Sequence, residues 1–115
     1  EKAASYLDQA LDLHLYFPEL FRGALLLEGA FFEAAVRHHA EMARQWFNQI
    51  TETALISPTA LARAEAAVLF AEGDHTAARE KAKQGLESVM RNRFFKGDAI
   101  AEEERLSALL EEINA

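Results

Sequence analysis

The chain has 115 residues, with 12 Lys and Arg against 19 Asp and Glu, a formal charge of -7 and no cysteine. That length supports one domain with a real core, and not two. The acidic balance counts against general attraction to nucleic acid or anionic lipid, which require a basic face, and the missing cysteines exclude disulfides, thiolate nucleophiles and cysteine-ligated metal.

A cysteine-free chain fits a reducing compartment, so a cytoplasmic location is expected. The opening "EKAASYLD" has no initiator methionine, basic leader or cleavable apolar segment and reads as the inside of a helix, as in a fragment of a longer protein. The most apolar stretch, Gly23 to Val36, is interrupted by Glu28 and Glu33. It falls short of the roughly 20 apolar residues of a membrane helix, so a buried helix is expected.

Apolar and alanine positions recur at helical spacing almost throughout, without the alternating runs of a strand, which predicts an all-α chain of six helices. The first covers 3 to 15 and stops at "LYFPEL", where Pro18 constrains Phe17 and opens a second helix, 18 to 37. This second helix is apolar nearly all round and should lie between neighbours. After "RHH" a third runs from 39 to 55; Ser57 then caps a fourth, with Pro58 in its first turn and an alanine-rich body to Glu72. In "AEGDHTAARE", Gly73 supplies the left-handed residue that ends this helix, and Asp74 offers its carboxylate to the free amides of the next. The product is an antiparallel hairpin. The fifth helix runs from Asp74 to about Phe95, with Lys81, Lys83, Arg91 and Arg93 in its later turns, where cations suit the helix dipole. Gly97 and Asp98 repeat the Gly-Asp device ahead of a last helix, 98 to 113, whose Ile100, Leu106, Leu109, Leu110 and Ile113 make one apolar face.

The segment "AAVRHHAEMARQ" (34 to 45) aligns with "LFAEGDHTAARE" (69 to 80) at an offset of 35, placing Ala43 over Ala78, Arg44 over Arg79 and Phe47 over Ala82. With Ala66, Leu69, Gly73-Asp74, Ala78, Ala82 and Gly85-Leu86 at the pattern positions, the second copy resembles a tetratricopeptide unit, whose period is about 34 residues. The first copy departs from it: Phe31 stands at the small position and His38-His39 replace Gly-Asp. "AASYLDQALDL" resembles the second helix of a preceding unit. The resemblance implies a short right-handed superhelix of stacked antiparallel hairpins over residues 1 to 115: a partial unit at 3 to 15, a divergent repeat at 18 to 55, a repeat at 58 to 96 and a capping helix at 98 to 113. It also implies an inner groove lined by Leu25, Glu28, Phe32 and Ala35 in the first copy and Ala60, Arg63, Ala67 and Phe70 in the second. The core of this candidate site is Leu25, Glu28, Phe32, Arg63, Ala67 and Phe70. The Lys and Asn set with which some such domains clamp a terminal carboxylate is missing, and a mostly apolar face favours a hydrophobic helix or segment as ligand. The alternative is a face already filled by the first or last helix, or by a second copy.

The succession "LDQALDL...FPELFRGALLLEGAFFEAAVRHHAEMARQWF...LARAEAAVLFAEGDHTAAREKAKQGL" also resembles the cytosolic helical tail of bacterial site-2-type membrane zinc metallopeptidases. That resemblance implies that the family's His-Glu-x-x-His lies elsewhere in a parent chain, because "HHAEM" does not contain it. Other chemical candidates have simpler explanations. His38, His39 and Glu41, with His75 from the next turn, are metal-binding residue types, but neighbours on one helical turn diverge, so no metal or cofactor is expected. His14 reads as a boundary histidine, Glu102, Glu103 and Glu104 as a solvated helix start, and Trp46, Phe47, Phe94 and Phe95 as core and helix-end packing, with a docking patch as the rival. The expectation is therefore a non-catalytic protein-interaction or regulatory module of a larger protein. It would bind a protein, a peptide or other domains of its own chain, with no nucleic acid and no direct membrane insertion. An accessory domain of a membrane zinc metallopeptidase and a homodimerisation element are the alternatives.

Overall fold

The computed structural model describes residues 8 to 9, 19 to 51, 53, 56 to 91 and 96 to 115, and among them there are helices and no strand. Five helices are α1 (Glu19–Ala35), α2 (Ala40–Asn48), α3 (Pro58–Ala71), α4 (His75–Arg91) and α5 (Lys96–Asn114). Asp8 and Gln9 are helical. The rest of the helix expected over 3 to 15, including His14, lies outside the described residues, as do Pro18, Phe94 and Phe95. None of the described helices is long and apolar enough to cross a membrane.

The helix signals of the sequence act where they stand. Ser57 is in extended backbone and its Oγ accepts from the Ala60 amide at 3.0 Å, with Pro58 in the first turn. Gly73 is left-handed (φ 89°), and the amides of Gly73 and Asp74 bond back to the carbonyls of Phe70 and Leu69, closing the end of α3. Asp74 Oδ1 then accepts from the Ala77 amide at 3.2 Å, starting α4. One repeat earlier, His38 takes the left-handed conformation (φ 58°) at the position equivalent to Gly73, since 73 − 35 = 38. The turn is one residue looser there: the His39 amide reaches the Glu33 carbonyl, and the His39 side chain makes no capping bond.

Two boundaries and one burial pattern differ from expectation. The third predicted helix, 39 to 55, ends as α2 at Asn48, where the amides of Gln49 and Ile50 close tight turns onto Trp46 and Phe47. Thr51 and Thr53 follow, and β-branched residues do little to prolong a frayed helix. The last helix begins at Lys96, so Gly97 and Asp98 lie within its first turn and not ahead of it. Neither central helix is buried all round: α3 buries Thr59, Arg63, Ala64, Ala66, Ala67 and Val68 but leaves Ala60, Leu61, Ala62 and Glu65 partly exposed, and α1 keeps an outer face on which Phe21 is 56% exposed.

Packing follows the small residues. The core gathers Ala30, Ala34, Ala43, Ala66, Ala67, Ala78 and Ala82, with Val68, Val89, Leu106, Leu109 and Ile113, and larger groups such as Phe31, Trp46, Phe47, Leu69 and Leu86 pack around it. Alanine at facing positions lets helix axes approach closely, which makes α3 against α4 the most extensive pairing. α1 packs on α2 and α3, α3 also packs on α5, α2 touches α3, and α4 touches α5. Gly85 marks a close approach: a Cβ there would lie 3.0 Å from both terminal methyls of Leu106 and 3.3 Å from the Ala62 Cβ.

If His38 and Gly73 are equivalent turn residues, substitutions should move stability in opposite directions. Gly73→Val should cost about 1–2 kcal/mol, because a β-branched residue is strained at positive φ, whereas His38→Gly should gain up to about 1 kcal/mol by relieving the same strain. Urea denaturation measures both, and a loss of stability in His38→Gly would contradict the assignment.

Candidate functional site

The residues expected to line an inner groove divide into three groups. Leu25, Glu28 and Phe32 share one face of α1 by helical spacing, with Leu25 and Phe32 half-buried and Glu28 exposed. Phe21, four residues before Leu25, extends that face and was missed by the repeat mapping, although its spacing marks it. Arg63 and Ala67 of α3 are fully buried, so they form the floor and not an accessible wall. Phe70, half-buried near the end of α3, stands apart with its ring 5.0 Å from the His75 ring.

The structure does bring Glu28 and Arg63 together. Arg63 Nη2 donates to Glu28 Oε1 at 2.9 Å, and Nε donates to Glu102 Oε2 of α5 at 2.8 Å. The guanidinium carbon lies 4.3 Å from the centroid of Phe31, the large residue at the repeat's small position. Arg63 is thus clasped by α1 and α5 while its own side chain is 0% exposed. A buried cation is tolerable only with such compensation, through charge-assisted hydrogen bonds and a ring face stripped of water. Nη1 has no hydrogen-bond partner among the described residues. Glu102, read from sequence as one of three solvated acids, is instead 14% exposed and also lies 3.6 Å from Arg105, whereas Glu103 and Glu104 are exposed as expected. A separation of 39 residues hid this partnership from local pattern.

Two further networks staple the surface. Arg37 takes both oxygens of Asp8, at 2.9 and 2.7 Å, and Glu33 Oε1 at 2.8 Å, with its guanidinium 5.0 Å above the Phe32 ring. Glu33 is 4% exposed, and its second oxygen lies 3.1 Å from His39 Nδ1. His38, His39, Glu41 and His75 do not form a metal-binding cluster; among the described residues no group of three or more His, Asp or Glu is placed to hold an ion. On α2, Arg44 grips Glu72 at the end of α3 through two bonds of 3.0 and 2.6 Å, and its repeat equivalent Arg79 on α4 bonds Asn114 at the end of α5 at 2.7 Å. Trp46 and Phe47 pack against the core, the latter beneath Arg44. A shallow depression of about 420 Å³ along α5, lined by Ser107, Leu110, Glu111, Asn114 and Ala115, lies apart from the Arg63 cluster.

The Arg44 hydrogen bond holds the Glu72 carboxyl below its ordinary value, and Arg37 does the same to Asp8, chiefly through the hydrogen bond. A carboxylate with a depressed folded pKa stabilises the fold above its unfolded pKa, and that contribution is lost as pH falls through the folded value. Because the Arg44–Glu72 pair is about one-third exposed, screening limits it to a few tenths of a kcal/mol. Glu72→Gln should therefore lower stability slightly at pH 7 and flatten its decline as the pH falls below about 4.5. Urea midpoints across that range test the sign.

Arg63 sets a larger effect. Arg63→Met, which leaves mostly covered Glu102 with only the longer contact to exposed Arg105, should cost about 3 kcal/mol, and adding Glu102→Leu should restore much of it, because an apolar pair of similar volume replaces the ion pair without desolvating charge. A neutral single substitution, or a double no better than the single, would refute this account.

No family model, curated protein or solved structure matches the chain.

Proposed function

We propose that the chain is a non-catalytic protein-interaction module, a short tetratricopeptide-like stack of helical hairpins within a larger cytoplasmic protein, whose outer α1 face receives an apolar helix or peptide segment. The observation that carries this reading is the stripe of Phe21, Leu25 and Phe32 around Glu28, apolar and at least partly exposed on a helix whose other side is core. A helical ligand is suited to such a stripe because its own i, i+3, i+4 and i+7 residues present an equally narrow apolar band. The stacked reading draws support from three features at the repeat period: left-handed residues at 38 and 73, Arg44 and Arg79 each reaching the end of the next helix, and Glu28 bonded to Arg63. Its right-handed superhelical path is part of the proposal.

Selection of a displayed library of amphipathic helical peptides on the folded chain tests it directly. Enriched peptides should bind wild type, and Phe32→Glu should weaken them at least tenfold, about 1.4 kcal/mol, with helicity by circular dichroism unchanged. Phe70→Glu probes whether the surface extends to the end of α3. Failure to enrich any sequence, or indifference to Phe32→Glu, overturns the reading.

A further inference from the structure

We infer that α5 occupies a helix-binding groove of α3 and α4 as a ligand held in cis, and that this groove accepts in its place an acidic amphipathic helix from a partner. The recognition elements lie at both ends and the middle of α5. Near its start, Glu102 answers Arg63, whose buried guanidinium projects from α3 and still has Nη1 unpartnered among the described residues. In the middle, Leu106 seats its methyls against Gly85, where the lack of a side chain leaves a hollow in α4. At its end, Asn114 accepts from Arg79.

The anchors Glu102, Leu106, Leu109 and Ile113 fall at i, i+4, i+7 and i+11, the spacing of a helix laid in a groove, whereas Glu103, Glu104, Arg105, Ser107 and Ala108 face solvent. Among the described helices, α5 touches α3 and α4 alone. Charge complementarity fixes the occupant: with Glu102 displaced, the buried Arg63 keeps only half-exposed Glu28 and the face of Phe31, so Nε favours a replacement carboxylate over a basic or wholly apolar helix. The required partner carries a carboxylate followed by apolar residues four, seven and eleven positions later. This groove is distinct from the outer face of α1, and each can fail without the other.

The test uses the intact chain and, as probe, a fluorescent peptide with the sequence of residues 98 to 115. Leu106→Asp in the chain should vacate the Gly85 seat, so that the peptide binds this variant at least tenfold more tightly than wild type, as read by fluorescence anisotropy. Replacing Glu102 by Gln in the peptide, or adding Arg63→Met to the opened chain, should each weaken binding at least tenfold. Absence of tighter binding by an opened chain that retains its helicity, indifference to the Gln peptide, or dimerisation in place of peptide capture overturns the inference. Should Leu106→Asp abolish folding, hydrogen exchange in Glu102→Gln decides: amides of 102 to 113 should exchange at least tenfold faster while those of 59 to 71 keep their protection. Equal acceleration in both segments would make α5 an integral part of the core, and the inference would fall.

Discussion

A guanidinium with no exposed surface, held between carboxylates from two other helices, is the most demanding constraint in this molecule. Removing a cation from water costs several kcal/mol, and Glu28, Glu102 and the face of Phe31 together offset that cost only in one mutual placement of α1, α3 and α5. Sliding α5 by a turn would move Glu102 about 5.4 Å away and leave a buried charge unpaired. Much of the pair's value is therefore specification. The apolar contacts of Leu106, Leu109 and Ile113 supply attraction, at roughly 1.5–3 kcal/mol for each fully buried side chain, but such contacts tolerate alternative registers better than the ion pair does.

The same constraint explains why a sign change between repeats is useful. Glu28 and Arg63 differ by 35 residues, one repeat, and α1 packs directly on α3. Residues at equivalent positions in neighbouring units then meet, and like charges there would repel in a site poor in water. Arg79 and Asn114 are likewise 35 residues apart and joined. Divergence of the first copy from the repeat pattern, with Phe31 where a small residue is expected, supplies the ring on which Arg63 lies.

The legible features were those whose cause is local. Ser57-Pro58 and Gly73-Asp74 act through bonds to residues three to five positions away, so their roles follow from the chain itself. Alanines 43, 66, 78 and 82 and Leu106, Leu109 and Ile113 of α5 follow from helical periodicity, and these seven are buried as that periodicity implies. His38 was legible only through the alignment with Gly73, because histidine carries no strong intrinsic signal for positive φ. Glu102 was misread because pattern assigns charged residues to solvent, and only a partner 39 residues away makes its burial tolerable. The early end of α2 at Asn48 was not legible either, since alanine and aromatic periodicity carries no stop signal there.

Burial of the α3 face that carries Arg63, Ala66 and Ala67 limits where recognition can occur. Its Arg63, Ala66 and Ala67 contact neighbours completely, so a ligand cannot reach the centre of the stack along the path that repeat mapping suggests. Two routes remain open to an incoming helix. It can lie on the outer stripe of α1, where Glu28 presents one oxygen to Arg63 and keeps half its surface in water, or it can take the place of α5. The two differ in their electrostatic demand. The α1 stripe offers a carboxylate that is only partly neutralised and so disfavours an acidic ligand, whereas the floor beneath α5 offers the other side of the same guanidinium and requires one. Under the two proposed binding modes, Arg63 would present opposite preferences to its two faces, so that a single buried cation would sort partners by the charge they carry.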